Sequence, residues 1–147
     1  MRASLWLFAW LAVLACSRAQ AAPPLAALMD IHVESGADAN FNNATRVDLV
    51  WVYDQATLSA LPRTAPRWFS DRDQLMSQLG SALDVVRIDM PPVSMVRPAL
   101  PVRHGKAIAV LAYVDMLAEA GQKLGDLTAY RCARVVIAKS SVDYRPC

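Results

Sequence analysis

Cysteine and histidine are the side chains best suited to nucleophilic, redox or metal chemistry, and this chain of 147 residues holds three of the first and two of the second. Cys16 closes an N-terminal apolar run, Cys132 and Cys147 lie near the opposite end, and His32 and His104 are far apart in the chain. Neither histidine has a second ligand at helical or hairpin spacing. Neither shares a motif with a cysteine, so a catalytic thiol is the weaker reading of Cys132 and Cys147. HExxH, GxSxG, paired-Cys and Gly-rich phosphate motifs do not occur, and the five glycines are scattered. Asp71 and Asp73 are two apart on a predicted helix and point away from each other. Asp84 and Asp89 fall on opposite faces of a predicted strand. A non-catalytic protein is therefore expected, with no metal, cofactor or small-molecule substrate. A site assembled from remote residues is the route left open to an enzyme.

Two cysteines remain once the leader is processed. In an oxidising compartment Cys132 and Cys147 are expected to pair, pinning the tail from Ser140 to Pro146 back on the last strand. Closing a loop of this length stabilises by ~3 kcal/mol in the chain-entropy account. Cys16 belongs to the leader. Arg2 precedes the apolar run from Leu5 to Ala15, which is shorter than the ~20 residues a bilayer span takes, so residues 1–21 read as a secretory signal peptide. Two cleavage points compete. Val13-Leu14-Ala15-Cys16 resembles a bacterial lipobox, which would lipidate Cys16 and leave Ser17 next to it, as in outer-membrane sorting signals. Ala19-Gln20-Ala21 instead suits ordinary signal peptidase and would leave a soluble chain starting at Ala22.

Charge excludes little but argues against nucleic acid. Removing Arg2 and Arg18 from the fifteen basic residues leaves thirteen, against thirteen acidic ones, so the chain from Ala22 is neutral. Nowhere are Lys and Arg clustered with interleaved aromatics. Arg97, Arg103, His104 and Lys106 form the most basic patch and read as a solvated hairpin face.

The elements that must position these residues follow from hydrophobic period. Residues 22–27 are a spacer, and 28–147 are one domain's worth of chain. Leu28 to Glu34 is a half-buried strand with Met29, Ile31 and Val33 on one face. SGADANFNNAT, Ser35 to Thr45, is an exposed loop, leading to a strand expected to neighbour the first. That second strand, Arg46 to Asp54, is apolar on both faces, with Val47, Leu49, Trp51 and Tyr53 against Val50 and Val52, and so belongs at the centre of a sheet. Gln55 to Arg63 carries a helical turn or an irregular link. Thr64 and Pro66 then open an amphipathic helix, with Trp68, Phe69, Leu75 and Leu79 on its apolar side and Gly80 at its end. Leu83 to Met90 is a strand whose Asp84, Val86, Ile88 and Met90 face the core. Ser94 to Val102 is an edge strand, Arg103 to Lys106 a turn, Ala107 to Val114 a central strand, Met116 to Leu127 a loop and Tyr130 to Ala138 the last strand. About six strands with one inserted helix and no βαβ alternation predict a mainly β fold, a small antiparallel β-sandwich.

From Leu28 to Tyr130 the chain resembles the outer-membrane lipoproteins of type VI secretion systems, the TssJ family. The likeness rests on four features: the Asn-containing loop Asn40 to Thr45, the strand end Val50 to Tyr53, the aromatic-led helix with Phe69 and Leu75, and the late apolar strand with Ala112-Tyr113. The resemblance implies a transthyretin-like sandwich held on the periplasmic face of the outer membrane. It also implies a partner, the periplasmic domain of a large inner-membrane IcmF-like protein, bound through exposed loops. Phe41, Asn42 and Asn43 are the contacts it suggests.

Overall fold

The computed structural model describes residues 21–147. The leader up to Gln20, with Cys16 and Ser17, lies outside the described residues. Among the described residues eight strands and two α-helices, with four short 3-10 turns, form a mainly β sandwich of two four-stranded sheets. The strands are β1 (Asp30–Ser35), β2 (Thr45–Val52), β3 (Leu83–Met90), β4 (Ser94–Val96), β5 (Ala109–Val114), β6 (Gly125–Asp126), β7 (Cys132–Ile137) and β8 (Val142–Pro146). The helices are α1 (Gln55–Ala60) and α2 (Ala65–Leu79), both between β2 and β3. One sheet runs β4-β1-β7-β8 and the other β3-β2-β5-β6. No described helix is long and apolar enough to cross a membrane.

β2 sits where its composition put it, between β3 and β5 and covered on both sides. Val47, Leu49 and Trp51 enter the core between the sheets with Ile31, Val33, Val135 and Ile137. Val50 and Val52 enter a second core, under α2, with Trp68, Leu111 and Tyr113. A strand apolar on one face alone could serve only one of these cores. The Trp68 ring stacks on Tyr113 at 4.6 Å between centroids and 7° between planes, fixing α2 over the middle of the sheet.

Local chemistry sets the helix ends. The Thr57 backbone N–H and hydroxyl both donate to the Asp54 carboxylate, at 2.8 and 2.9 Å, capping α1. Thr64 occupies the N-cap position of α2 without a side-chain cap bond, and Pro66 lies in its first turn. Gly80 ends α2 at φ +49°, a left-handed conformation that costs glycine little.

Several expectations are corrected. β1 and β2 are not neighbours: β1 is flanked by β4 and β7, β2 by β3 and β5, and the connection between them crosses from one sheet to the other. Met29 is exposed rather than sharing the inner face of Ile31 and Val33, because regular pairing of β1 starts only at Asp30. The edge strand that begins at Ser94 stops at Val96, before Pro98. Tyr130 to Ala138 does not hold the last strand, since the tail adds β8 against β7, and the count rises from six to eight. One pairing also departs from the antiparallel rule: β1 runs parallel to β7, with Asp30 opposite Cys132 and Ser35 opposite Ile137.

Candidate functional site

The connection from β1 to β2 is an ordered loop. Asn40, Phe41 and Asn42 have φ of 47°, 56° and 63°, three consecutive left-handed residues. Asn adopts this conformation readily, but a bulky residue such as Phe does so rarely, at a cost on the order of 1–3 kcal/mol. The surroundings that impose it centre on Asn40, which is buried. Its backbone N–H donates to Ala138 O at 3.0 Å and its side-chain amide donates to Asp115 O at 3.2 Å. Its side-chain oxygen accepts the Leu117 N–H at 2.8 Å. Asn40 thus ties the segments that follow β7 and β5 to the loop, and Phe41 is turned outward by the same twist.

The three residues expected to contact a partner differ in what they offer. Phe41 is 45% exposed, with Lys139 Nζ 5.8 Å from its ring centroid. Asn42 is exposed at the crest. The Asn43 side-chain amide turns back to donate to the carbonyls of Asn40 and Phe41, both at 3.1 Å, so it braces the turn. Two further residues share this end of the sandwich and were missed by sequence reasoning. Val93, 75% exposed at φ 55°, donates its N–H to Gly36 O at 3.2 Å, and Leu117, 65% exposed, is the residue bonded to Asn40. A β-branched residue with positive φ is a conformational outlier. Neither residue carries a local sequence signal, because long-range pairing brings both to the loop.

Elsewhere the structure joins groups the sequence kept apart. Arg103 donates to Asp84 at 2.8 and 3.3 Å and lies over the Tyr53 ring at 4.1 Å, while the Tyr53 hydroxyl donates to the same carboxylate at 2.6 Å. Burial, reinforced by Asp84, pushes the Tyr53 phenol up to about 12, and the Arg103 bond holds Asp84 below the usual carboxylate range. Arg97 grips Asp30 with two bonds at 2.8 and 2.7 Å, and holds that carboxyl down as well. Two arginines of the expected basic patch are therefore committed to ion pairs rather than forming a free cationic face.

Cys132 and Cys147 are joined by a disulfide, with α-carbons 5.4 Å apart. His32, which sequence spacing separated from both, stands beside them: one imidazole nitrogen and the two sulfurs all lie within 4.8 Å of one another. The parallel register of β1 on β7 makes this neighbourhood, and no spacing rule for helices or hairpins covers it. A groove of about 550 Å³ beside α1, lined in part by Leu58, Leu61, Ile108, Leu111 and Leu124, gathers no histidine, cysteine or carboxylate pair.

No protein-family model matches the chain, and no curated protein does. Solved structures do. Lip of Serratia marcescens, a membrane-bound component of the type VI secretion system, aligns over 80% of this chain and 96% of its own at 12% identity and TM-score 0.54. The type VI secretion lipoprotein TssJ1 of Pseudomonas aeruginosa aligns over 80% and 95% at 14% identity and TM-score 0.54. The chain shares their fold. A chain from a type VI membrane complex aligns as well, over 80% and 97% at 11% identity and TM-score 0.53. At such identities the TssJ-like likeness is one of architecture, the β-sandwich with its inserted helix.

Proposed function

We propose that this protein is a non-catalytic envelope component of a type VI secretion membrane complex. In this reading it is anchored to the periplasmic face of the outer membrane through lipidated Cys16 and binds the periplasmic domain of an inner-membrane IcmF-like protein. The observation that carries the proposal is the loop at Asn40–Asn42: a bulky aromatic is held outward, in a conformation the chain disfavours, by a buried asparagine that bonds two other segments. Backbone strain kept in place by surrounding structure marks sites where a fixed presentation matters. A pre-ordered aromatic with exposed apolar neighbours is also the kind of anchor from which binding hot spots are built. Phe41 and Asn42 are the proposed contacts, Val93 and Leu117 extend them, and Asn43 supports them. The TssJ-like fold supports the same reading.

The test has two arms. Binding of the chain from Ala22 onward to the partner's periplasmic domain is measured by calorimetry. Phe41→Ala is expected to weaken it by ten-fold or more while leaving the circular dichroism and melting unchanged. Equal affinity for wild type and variant would remove the loop from the interface. In cells, labelled palmitate is expected to enter the wild type and not Cys16→Ala. An unlabelled wild type beginning at Ala22 would favour a soluble periplasmic adaptor or chaperone instead.

A further inference from the structure

The cluster of His32, Cys132 and Cys147 lies on the outer face of the β4-β1-β7-β8 sheet, away from the loop, and plays no part in the packing of either core. Parallel register sets Asp30 beside Cys132, and His32 follows two residues later on the same face. Asp30 Oδ2 stands 3.3 Å from His32 Nε2, and Arg97 donates to both oxygens of that carboxylate. Two cysteine sulfurs with one imidazole form the donor set that borderline-soft ions such as Zn²⁺ select. A carboxylate behind the histidine is the usual second partner that orients such a ligand and raises its basicity.

We propose that the disulfide and a metal site are alternative states of this cluster. In the oxidised state the sulfurs are bonded to each other and offer no thiolate. A dithiol reductant, itself oxidised to a disulfide, delivers two electrons and two protons and leaves Cys132 and Cys147 as thiols. A Zn²⁺-class ion then displaces both protons and is bound by the two thiolates and His32, with water in the fourth position. The site survives loss of the S–S bond because Cys147 is held by backbone pairing as well. Its N–H donates to Cys132 O at 3.1 Å, at the end of a ladder running from Ile137 opposite Val142 to Ala133 opposite Pro146. Oxidation would expel the ion, so occupancy follows the redox state around the protein.

The experiment is a Co²⁺ titration of the chain from Ala22 onward, reduced with a phosphine under anaerobic conditions and compared with the oxidised chain. The reduced protein is expected to take up one equivalent, with the thiolate charge-transfer and ligand-field bands of a tetrahedral site, and to lose them when Zn²⁺ is added. The oxidised protein is expected to show none. His32→Ala, which leaves the disulfide intact, should weaken Co²⁺ binding ten-fold or more after reduction. The proposal is overturned by absence of these bands in the reduced wild type, by equal binding in the two redox states, or by an unaffected His32→Ala. Collapse of the β-sheet circular dichroism on reduction would also overturn it, since the proposed site depends on the β7–β8 ladder.

Discussion

The indole Nε1 of Trp68 donates to Oδ2 of Asp48 at 2.8 Å, a bond from helix to sheet closed off from water. Arg72 reaches the same carboxylate at 3.3 Å, so a carboxylate buried under α2 is served by two donors from that helix. Trp68→Phe keeps an aromatic ring over Tyr113 but removes one donor, and is expected to lower stability by about 1.5–3 kcal/mol, the scale of a hydrogen bond to a charged group. Asp48→Ala removes the acceptor of both donors, leaving the Trp68 N–H unpaired and Arg72 with only the exposed Asp73 at 3.6 Å, and should cost more than Trp68→Phe. Urea denaturation of the two variants measures both, and a smaller loss for Asp48→Ala than for Trp68→Phe would contradict the assignment.

Breaking the bridge between Cys132 and Cys147, which spans a sequence separation of 15, frees the chain around β8. Cys147→Ser is expected to reduce stability by ~3 kcal/mol. The ladder to β7 remains, so hydrogen exchange should rise first at residues 142–146 and leave β2 and β5 protected. Uniform loss of protection across both sheets would mean that the bridge holds the whole sandwich.

Asn40 serves the loop in two ways, through its side-chain bonds and through its left-handed backbone. Asn40→Ala loses both, leaving the part-buried Leu117 N–H without its acceptor, and is expected to destabilise by about 1–3 kcal/mol. Asn40→Gly restores only the backbone freedom and should recover a fraction of that loss. Amide exchange at Leu117 reads the side-chain bond directly, and should be accelerated equally in both variants.

The Tyr53–Asp84–Arg103 group predicts opposite limbs of a stability profile. Asp84 has its folded pKa depressed below 3.8, so its contribution is present above that value and is lost as pH falls through the folded pKa. Tyr53 is raised from 10.0 to about 12, so its contribution is present below pH 10.0 and disappears as pH climbs toward 12. Asp84→Asn should flatten the acid limb below about pH 4, and Tyr53→Phe the alkaline limb. Neither limb vanishes, because Asp30 and Asp54 are also depressed and Tyr113 and Tyr144 also raised. Chemical denaturation across pH tests both slopes.

What could be read from the chain was whatever short-range pattern controls. The two-faced apolarity of β2, the run of AIAVLAYV that holds β5, and the Thr64 to Gly80 helix are each written in consecutive residues, and each formed as expected. The sheet partners were not, because period two says which face a residue takes and nothing about which strand lies alongside. The expectation that β1 lies next to β2 failed there, and for the same reason the nearness of His32 to Cys132 and Cys147 could not be read. The loop residues Phe41, Asn42 and Asn43 were legible as exposed from their Asn-rich setting. Val93 and Leu117 were not, since the acceptors of their backbone N–H groups, the Gly36 carbonyl and the Asn40 side chain, are remote in sequence.

The parallel pairing of β1 with β7 joins Asp30 to Cys132, residues 102 positions apart (132 minus 30). The β4-β1-β7-β8 sheet therefore cannot be completed until β7 and β8 are available, whereas β2, β3 and β5 of the other sheet all precede β7 in the chain. Long-range closure of this kind slows folding. Until that closure is made, the edge of β1 that takes β7 has no partner and only its β4 edge can be paired.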